Sequence, residues 1–298
     1  MPVDARALTL HRPRTLKAAL AMLASEPTLM PIAGCTDVMV GLHFGTSDQR
    51  QFIDLWPLDE LRGITMDKPS TFARSATADK KGLSPLLRIG ALTTYTEIIA
   101  SPIIRKRVPM LVAAAREIGG AQIQNRGTLG GNIANGSPAG DTLPVLAAAD
   151  ARIVLRSTGG ERSVPFNEFY TGYRTSVRHP DELITAVEIP AIEGRQWWRK
   201  VGTRRAQAIS KITMAGVRGP AKAGRHIGNV RMAFGSVGPT VVLAQETARL
   251  LAAGGSLAAA QVLLREEIAP IDDVRSTGEY RSHVAANLLA EFWKDTNG

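Results

Sequence analysis

The sequence predicts an α+β protein in two parts, divided near residue 194. Three observations carry this reading. Up to Pro190, short strand patterns and helical patterns alternate around two glycine-bearing turns. From Trp197 to Val237, three strand patterns follow one another with turns between them. Beyond Ala244 the chain reads as helices, so the tail places strands first and helices afterwards instead of adding another strand–helix–strand unit. No internal repeat is visible.

The elements follow in order. Leu16, Leu20 and Leu23 share one helical face, Thr15 stands where a cap belongs, and Pro27 closes the segment. Thr28–Ala33 reads as a strand that ends in the turn Gly34-Cys35-Thr36-Asp37, followed by apolar Val38–Leu42. Gln51–Leu55 is a strand, Leu58 and Leu61 mark a helical turn, and polar residues 65–85 read as an extended loop. After a short strand at Leu87–Ile89, Thr94 and Glu97 have the spacing of a capping box. A helix over Val108–Ile118 carries Leu111, Ala115 and Ile118 on one side and ends at Gly119-Gly120. Leu143–Ala149 is helical, Ala151–Ser157 and Gly160–Phe166 form a hairpin, and Leu183–Ile189 is a strand stopped by Pro190. In the tail, strands at Trp197–Val201, Ile209–Val217 and Val230–Val237 precede helices at Ala244–Ala253, Leu257–Ile268 and His283–Lys294.

At 298 residues the chain has room for two domains, and 44% hydrophobic with 21% charged residues is ordinary globular composition. No apolar run reaches the roughly 18 residues that span a bilayer. Arg6, Arg12 and Arg14 ahead of Ala18–Ala24 imitate a signal peptide, but the amphipathic pattern favours a short helix, and a cytoplasmic location is expected, or a periplasmic one only if a partner's signal exports the complex. The net charge of +9 admits a nucleic-acid surface; against it, Lys and Arg are spread along the chain and aromatic residues are only 5%, too few for interleaved stacking. An anionic cofactor or an acidic partner accounts for the charge equally well. The single cysteine, Cys35, rules out an internal disulfide and an all-cysteine metal site, and the five histidines show no ligand spacing.

The most informative stretch is residues 126–141, Arg-Gly-Thr-Leu-Gly-Gly-Asn-Ile-Ala-Asn-Gly-Ser-Pro-Ala-Gly-Asp. Backbone without Cβ atoms approaches a flat or anionic ligand closely. Thr128, Asn132, Asn135 and Ser137 supply short donors and acceptors, and Asp141 supplies a carboxylate suited to a ribose or ribityl hydroxyl. A long surface loop is the plain alternative. The turn at Gly34–Asp37 exposes consecutive N–H groups at a strand end, a usual way to hold phosphate.

Together, Ala33-Gly34-Cys35-Thr36-Asp37 and Gly127-Thr128-Leu129-Gly130-Gly131-Asn132-Ile133 with Ser137-Pro138 and Asp141 resemble the "AGGTD" and "GTxGGNI…SPxxD" segments of the FAD-binding (medium) subunit of molybdenum hydroxylases, the xanthine dehydrogenase and carbon monoxide dehydrogenase flavoproteins. Val237-Gly238-Pro239-Thr240, Asp272-Asp273-Val274-Arg275-Ser276 and Lys200-Val201-Gly202-Thr203-Arg204-Arg205 resemble that family's C-terminal domain.

The resemblance implies an FAD-binding domain of the vanillyl-alcohol-oxidase/PCMH type over 1–194, with subdomains of about 1–57 and 58–194, followed by a small α+β domain over 195–298 with a three-stranded antiparallel sheet. By position, Pro31, Ile32, Ala33, Gly34, Cys35, Thr36, Asp37 and Val38 would wrap the pyrophosphate. Thr128, Gly131, Asn132, Ser137 and Asp141 would meet the diphosphate, ribityl chain or ribose, with Ile118 and Ile184 as apolar contacts. Lys200 would lie near the isoalloxazine ring, where a cation stabilises reduced flavin. Each has a structural alternative: Asp141 as a cap of the helix after it, Thr128 and Asn132 bonded to their own loop, and Lys200 as an exposed strand lysine. Consecutive Trp197 and Trp198 face opposite sides of a strand, so they are not a stacking pair.

The implied function is electron transfer. A large partner subunit would hold the molybdopterin cofactor and hydroxylate the substrate, and a small partner subunit would carry 2Fe-2S clusters. FAD here would hand electrons to NAD, a quinone or another acceptor, in a dimer of heterotrimers. Cys35 stands where a second glycine is common, and Ala208 where relatives often place an acidic residue, which weakens a nicotinamide dock. A stand-alone flavin oxidase and a non-catalytic basic binding module are the competing readings.

Overall fold

The computed structural model describes residues 5–67, 85–204, 207–220 and 227–297. Strands β1 (Thr9–His11), β2 (Met30–Ile32) and β3 (Gln51–Asp54) form a parallel sheet in the order β1–β3–β2. Between β1 and β2 runs the helix Leu16–Ser25, whose first turn is closed by the Thr15 hydroxyl accepting from Ala18 N at 3.1 Å. Its buried face, Leu16, Ala19, Leu20 and Leu23, packs with Leu29, Ile53 and Leu55, as the leucine spacing requires. The apolar stretch after the first glycine turn is a short helix, Val38–His43.

A second, antiparallel sheet supports the rest of the N-terminal part. Its strands are β4 (Ile64–Asp67), β5 (Leu86–Gly90), β6 (Arg152–Ser157), β7 (Gly160–Pro165) and, beyond the small hairpin β8–β9 (Tyr170–Gly172 and Thr175–Ser176), β10 (Leu183–Ile189). Their spatial order is β4–β5–β10–β6–β7. Every residue of the central strand β10 is buried. The loop predicted for 65–85 is corrected at its start, where β4 pairs with β5, and residues 68–84 lie outside the described residues.

Between β5 and β6 the chain winds through helices Tyr95–Ala100, Pro102–Arg107, Pro109–Arg116, Ala121–Gln124, Leu129–Asn135 and Leu143–Ala148. The capping box is formed: Thr94 N donates to Glu97 Oε2 at 2.7 Å, and Glu97 N donates to Thr94 Oγ1 at 3.3 Å. The helix expected over Val108–Ile118 is shorter, because Val108 and Pro109 end one helix and begin the next.

The C-terminal sheet has four strands, not three: β11 (Arg195–Gly202), β12 (Ser210–Arg218), β13 (Val230–Gly235) and the two-residue edge strand β14 (Val242–Leu243). β11 begins inside the break expected at 191–196. Helices Gln245–Ala252, Leu257–Glu267 and Gly278–Asp295 follow. The last starts before His283 because Thr277 caps it, its hydroxyl accepting from Tyr280 N.

Both faces of this sheet are covered. On β12 and β13, Ile212, Met214, Met232 and Phe234 pack against the C-terminal helices, while Ala215, Val217 and Ala233 join the core of the N-terminal part. That alternation follows the two-residue period of a strand. Trp197 and Trp198 divide the same way, one to each core. The small alanines allow the helix Leu143–Ala148 to lie close on the sheet, bringing β11 and β12 beside the glycine-rich segment.

Candidate functional site

The two glycine segments meet. A Cβ built on Gly34 would lie 1.7 Å from the Arg126 carbonyl oxygen, so the first turn can touch the second segment only as glycine. The second segment is strapped to the chain around residues 91–95 by Gly130 N to Ala91 O at 2.8 Å, Leu129 N to Thr93 O at 3.0 Å and Tyr95 N to Gly127 O at 3.2 Å. Gly127 and Gly130 have no room for a Cβ, which would meet Tyr95 at 2.9 Å and Ala91 at 2.7 Å. These three glycines therefore serve contact between chain segments. At Gly131 a Cβ would meet only the Thr128 hydroxyl, at 2.9 Å, and this glycine lines a cavity.

That cavity, about 610 Å³, lies between the parallel sheet, the antiparallel sheet and the C-terminal sheet. Every candidate residue lines it: Pro31, Ile32, Ala33, Gly34, Cys35, Thr36, Asp37 and Val38 from the first segment; Ile118, Thr128, Gly131, Asn132, Ser137 and Asp141 around the second; Ile184 from β10; and Lys200 from β11. The sequence spacing therefore brings residues up to 169 positions apart (31 to 200) to one wall system.

At the first turn, Cys35 holds φ +62, in the left-handed region. That conformation explains why glycine suits the position, and a cysteine there costs roughly 1–2 kcal/mol. A left-handed residue within a turn aims successive N–H groups to one side. Among the described residues, the N–H groups of Gly34, Cys35, Thr36 and Asp37 donate to no protein acceptor. The thiol itself donates weakly to Ala33 O at 3.5 Å, and burial pushes it above the usual thiol range, against the pull of Arg126. It is thus less nucleophilic than a free cysteine.

The second segment is a short helix, Leu129–Asn135, rather than a loop. Thr128 caps it, its hydroxyl accepting from Gly131 N at 3.1 Å and keeping its own proton to donate. Gly136 ends it at φ +59. Asn132 Oδ1 accepts from Thr142 Oγ1 at 2.7 Å, and its NH₂ is left for the cavity. Ser137 Oγ accepts from Ala139 N at 3.3 Å.

Asp141 does not cap the helix that follows; Thr142 stands at that N-cap, and no side chain bonds there. The Asp141 carboxylate takes Lys200 Nζ at 2.7 Å on one oxygen and the Ser210 hydroxyl on the other, and Asp141 O accepts from Trp198 Nε1 at 3.2 Å. Lys200 also donates to Glu117 O at 3.2 Å. Burial pushes the Asp141 carboxyl up, against the stabilising pull of Lys200 and Ser210. Lys200 is not an exposed strand lysine: its side chain is 8% accessible, and its charge is balanced by Asp141.

A model described as the FAD binding domain in molybdopterin dehydrogenase matches residues 6–192, and one described as the CO dehydrogenase flavoprotein C-terminal domain matches residues 197–296. The chain belongs to the FAD-binding subunit family of the molybdenum hydroxylases. It is 34% identical over 289 residues to the putative xanthine dehydrogenase FAD-binding subunit of Escherichia coli K12, covering 93% of this chain and 92% of that one. It is 28% identical over 292 residues to the carbon monoxide dehydrogenase medium chain of Hydrogenophaga pseudoflava, covering 94% and 93%. A solved structure of the carbon monoxide dehydrogenase from that organism superposes with a TM-score of 0.84 at 25% identity, covering 98% of this chain and 96% of that one.

As an FAD-binding subunit, the protein is an oxidoreductase component, and the residues present suit the cofactor. Four N–H groups at one turn that find no acceptor among the described residues match a diphosphate, and a cavity of this size with a partly apolar lining matches a large flat ligand.

Several cavity residues had no sequence signal. Ser210, the second partner of Asp141, lies 69 residues from it. Tyr95 is buried at the cavity wall, and its phenol is pushed well above the usual range by burial. The register of β10 against β6 shifts between Ile184 and Ala186, a bulge beside the cavity that Ile184 lines. Arg174 and Arg178 also line the cavity, from the hairpin and the loop after it. No helix among the described residues is long and apolar enough to cross a membrane.

Proposed function

We propose that this subunit is the electron exit of a molybdenum-containing hydroxylase. The large partner subunit holds the molybdenum cofactor, where substrate is hydroxylated, and the small partner subunit carries 2Fe-2S clusters. Electrons then leave through the FAD site to NAD, a quinone or another acceptor, in an assembly of two such heterotrimers. The observation that carries this reading is the meeting of both glycine segments at one cavity with unpaired amides. The relatives support the division of labour: one is called a medium chain, and in the chicken xanthine dehydrogenase/oxidase the matching stretch is only 18% of the polypeptide.

When bound, FAD supplies a junction between one-electron and two-electron carriers. The rest is the work of this chain. Amides of Gly34–Asp37 bind the diphosphate without spending side-chain charge. Thr128, Asn132 and Ser137 offer short polar groups to the ribityl and ribose hydroxyls, while Ile118 and Ile184 give apolar walls. Lys200 and Asp141 present an oriented, net-neutral ion pair at the cavity wall, so their influence on the cofactor is that of a dipole more than of a free cation.

The test uses the assembled complex, intact and flavin-depleted, mixed with its reducing substrate without oxygen. Iron–sulfur bleaching in both preparations, with acceptor reduction lost only in the depleted one, supports this role. Acceptor reduction at an undiminished rate without flavin overturns it.

A further inference from the structure

Among the described residues, four cations line the cavity: Arg174, Arg178, Lys200 and Arg275. Three are engaged. Lys200 is paired with Asp141, and Arg178 donates to His179 O at 2.9 Å and Glu182 O at 2.7 Å. Arg275 lies 3.4 Å from Asp273. Arg174 has no hydrogen-bonded or salt-bridged partner among the described residues; its guanidinium carbon sits 5.7 Å from the Tyr173 ring centroid.

Its backbone is placed with care. Tyr173 and Arg174 form the tight turn between β8 and β9, and Arg174 holds φ +53. The turn sits on the end of the glycine-rich helix, where a Cβ on Gly136 would lie 3.3 Å from Arg174 Cα and 3.2 Å from the Tyr170 ring. The Tyr170 hydroxyl anchors the hairpin by donating to Ile133 O at 2.7 Å. Arg174, exposed at the cavity's edge, and Asp37 line the same cavity; burial pushes the Asp37 carboxyl up and the positive charge of Arg174 pulls against it, so the arginine acts on the turn with the unpaired amides. A diphosphate bound at those amides beside Asp37 would meet a like charge, and a cation opposite offsets it.

We propose that Arg174 is a cofactor-binding residue of this subunit, its guanidinium supplying the counter-charge to the diphosphate held by the Gly34–Asp37 turn. This rests on the FAD reading of the cavity. An arginine matches phosphate oxygens with a planar fork of donors, and the hairpin turn that gives Arg174 its positive φ holds it at the end of the glycine-rich helix.

The experiment measures, on the full-length flavin-free protein, dissociation constants for FAD and for riboflavin, which lacks the phosphates. The variants are R174A, R174K and R174G; the last tolerates the left-handed conformation, so it removes the guanidinium without backbone strain. R174A and R174G should weaken FAD roughly ten- to a hundredfold, in line with a charge-assisted hydrogen bond, and leave riboflavin unchanged. R174K should recover part of the loss. Equal weakening of FAD and riboflavin, or no change in either, overturns the proposal while leaving the FAD reading intact. Failure of the wild-type protein to bind either ligand overturns both.

Discussion

Lys200 Nζ lies 2.7 Å from Asp141 Oδ2, and this ion pair joins β11 of the C-terminal sheet to the end of the glycine-rich segment. The two side chains are 8% and 9% accessible, so neither charge is well solvated. The pair therefore fixes the geometry of the cavity wall and the docking of the two halves at once.

Removing one partner of such a pair strands the other. Lys200→Met should cost about 3–5 kcal/mol, because Asp141 keeps only the Ser210 hydroxyl among the described residues. Ser210→Ala, which leaves the ion pair in place, should cost about 1–3 kcal/mol. Urea unfolding of the three proteins checks the order, and equal stability of Lys200→Met and wild type contradicts it.

The glycines divide by role. Gly34→Ala forces a Cβ to within 1.7 Å of a backbone oxygen and should destabilise by about 3 kcal/mol or more. Gly131→Ala crowds only the Thr128 cap hydroxyl; the weakened cap costs about 1 kcal/mol and the gain in helix propensity offsets about as much, so its melting temperature should stay near wild type while flavin content falls. A melting curve and a flavin count on each variant separate the two.

Cys35 is strained by its φ of +62. Cys35→Gly should stabilise the protein by up to about 1 kcal/mol, the relief of the left-handed conformation less the entropy of glycine, and should retain flavin. Cys35→Val, β-branched in the same conformation, should destabilise it. Thermal melting with flavin content tests both.

Asp273 carries a pH dependence. Its carboxylate accepts from Arg281 Nη2 at 2.6 Å, Arg275 N at 2.8 Å and Ser276 N at 3.1 Å, which holds its pKa down to about 2. The folded value is below the unfolded one of about 3.9, so the stabilisation is present above about pH 4 and is lost as pH falls toward 2. Asp273→Asn should remove that part of the acid dependence. Urea midpoints across this range give the comparison, and an unchanged acid slope contradicts it.

Much of this was legible in local sequence. Thr15, and Thr94 with Glu97, act where capping chemistry puts them. The candidate residues share a cavity because the glycines of the two segments let the backbones meet there, Gly34 against Arg126 and Gly130 against Ala91. What local pattern could not reveal is set by tertiary contact. The helix Leu129–Asn135 contains two adjacent glycines, poor helix formers, and is held by the Thr128 cap and the straps to Ala91 and Thr93. Edge strand β14 has two residues, too short for a period to register. The Ser210 contact and the β10 bulge depend on chain segments far apart in sequence.

The central claim is that the cavity between the glycine segments holds FAD. The most direct measurement is the flavin released on denaturing the purified full-length protein, after incubation with excess FAD and removal of what is unbound, for wild type and for Gly131→Leu, which fills the cavity from a helical position. This account predicts about one FAD per wild-type chain and a large loss in the variant at an unchanged melting temperature. A wild-type protein that takes up no FAD, or a folded Gly131→Leu that binds it fully, would contradict it.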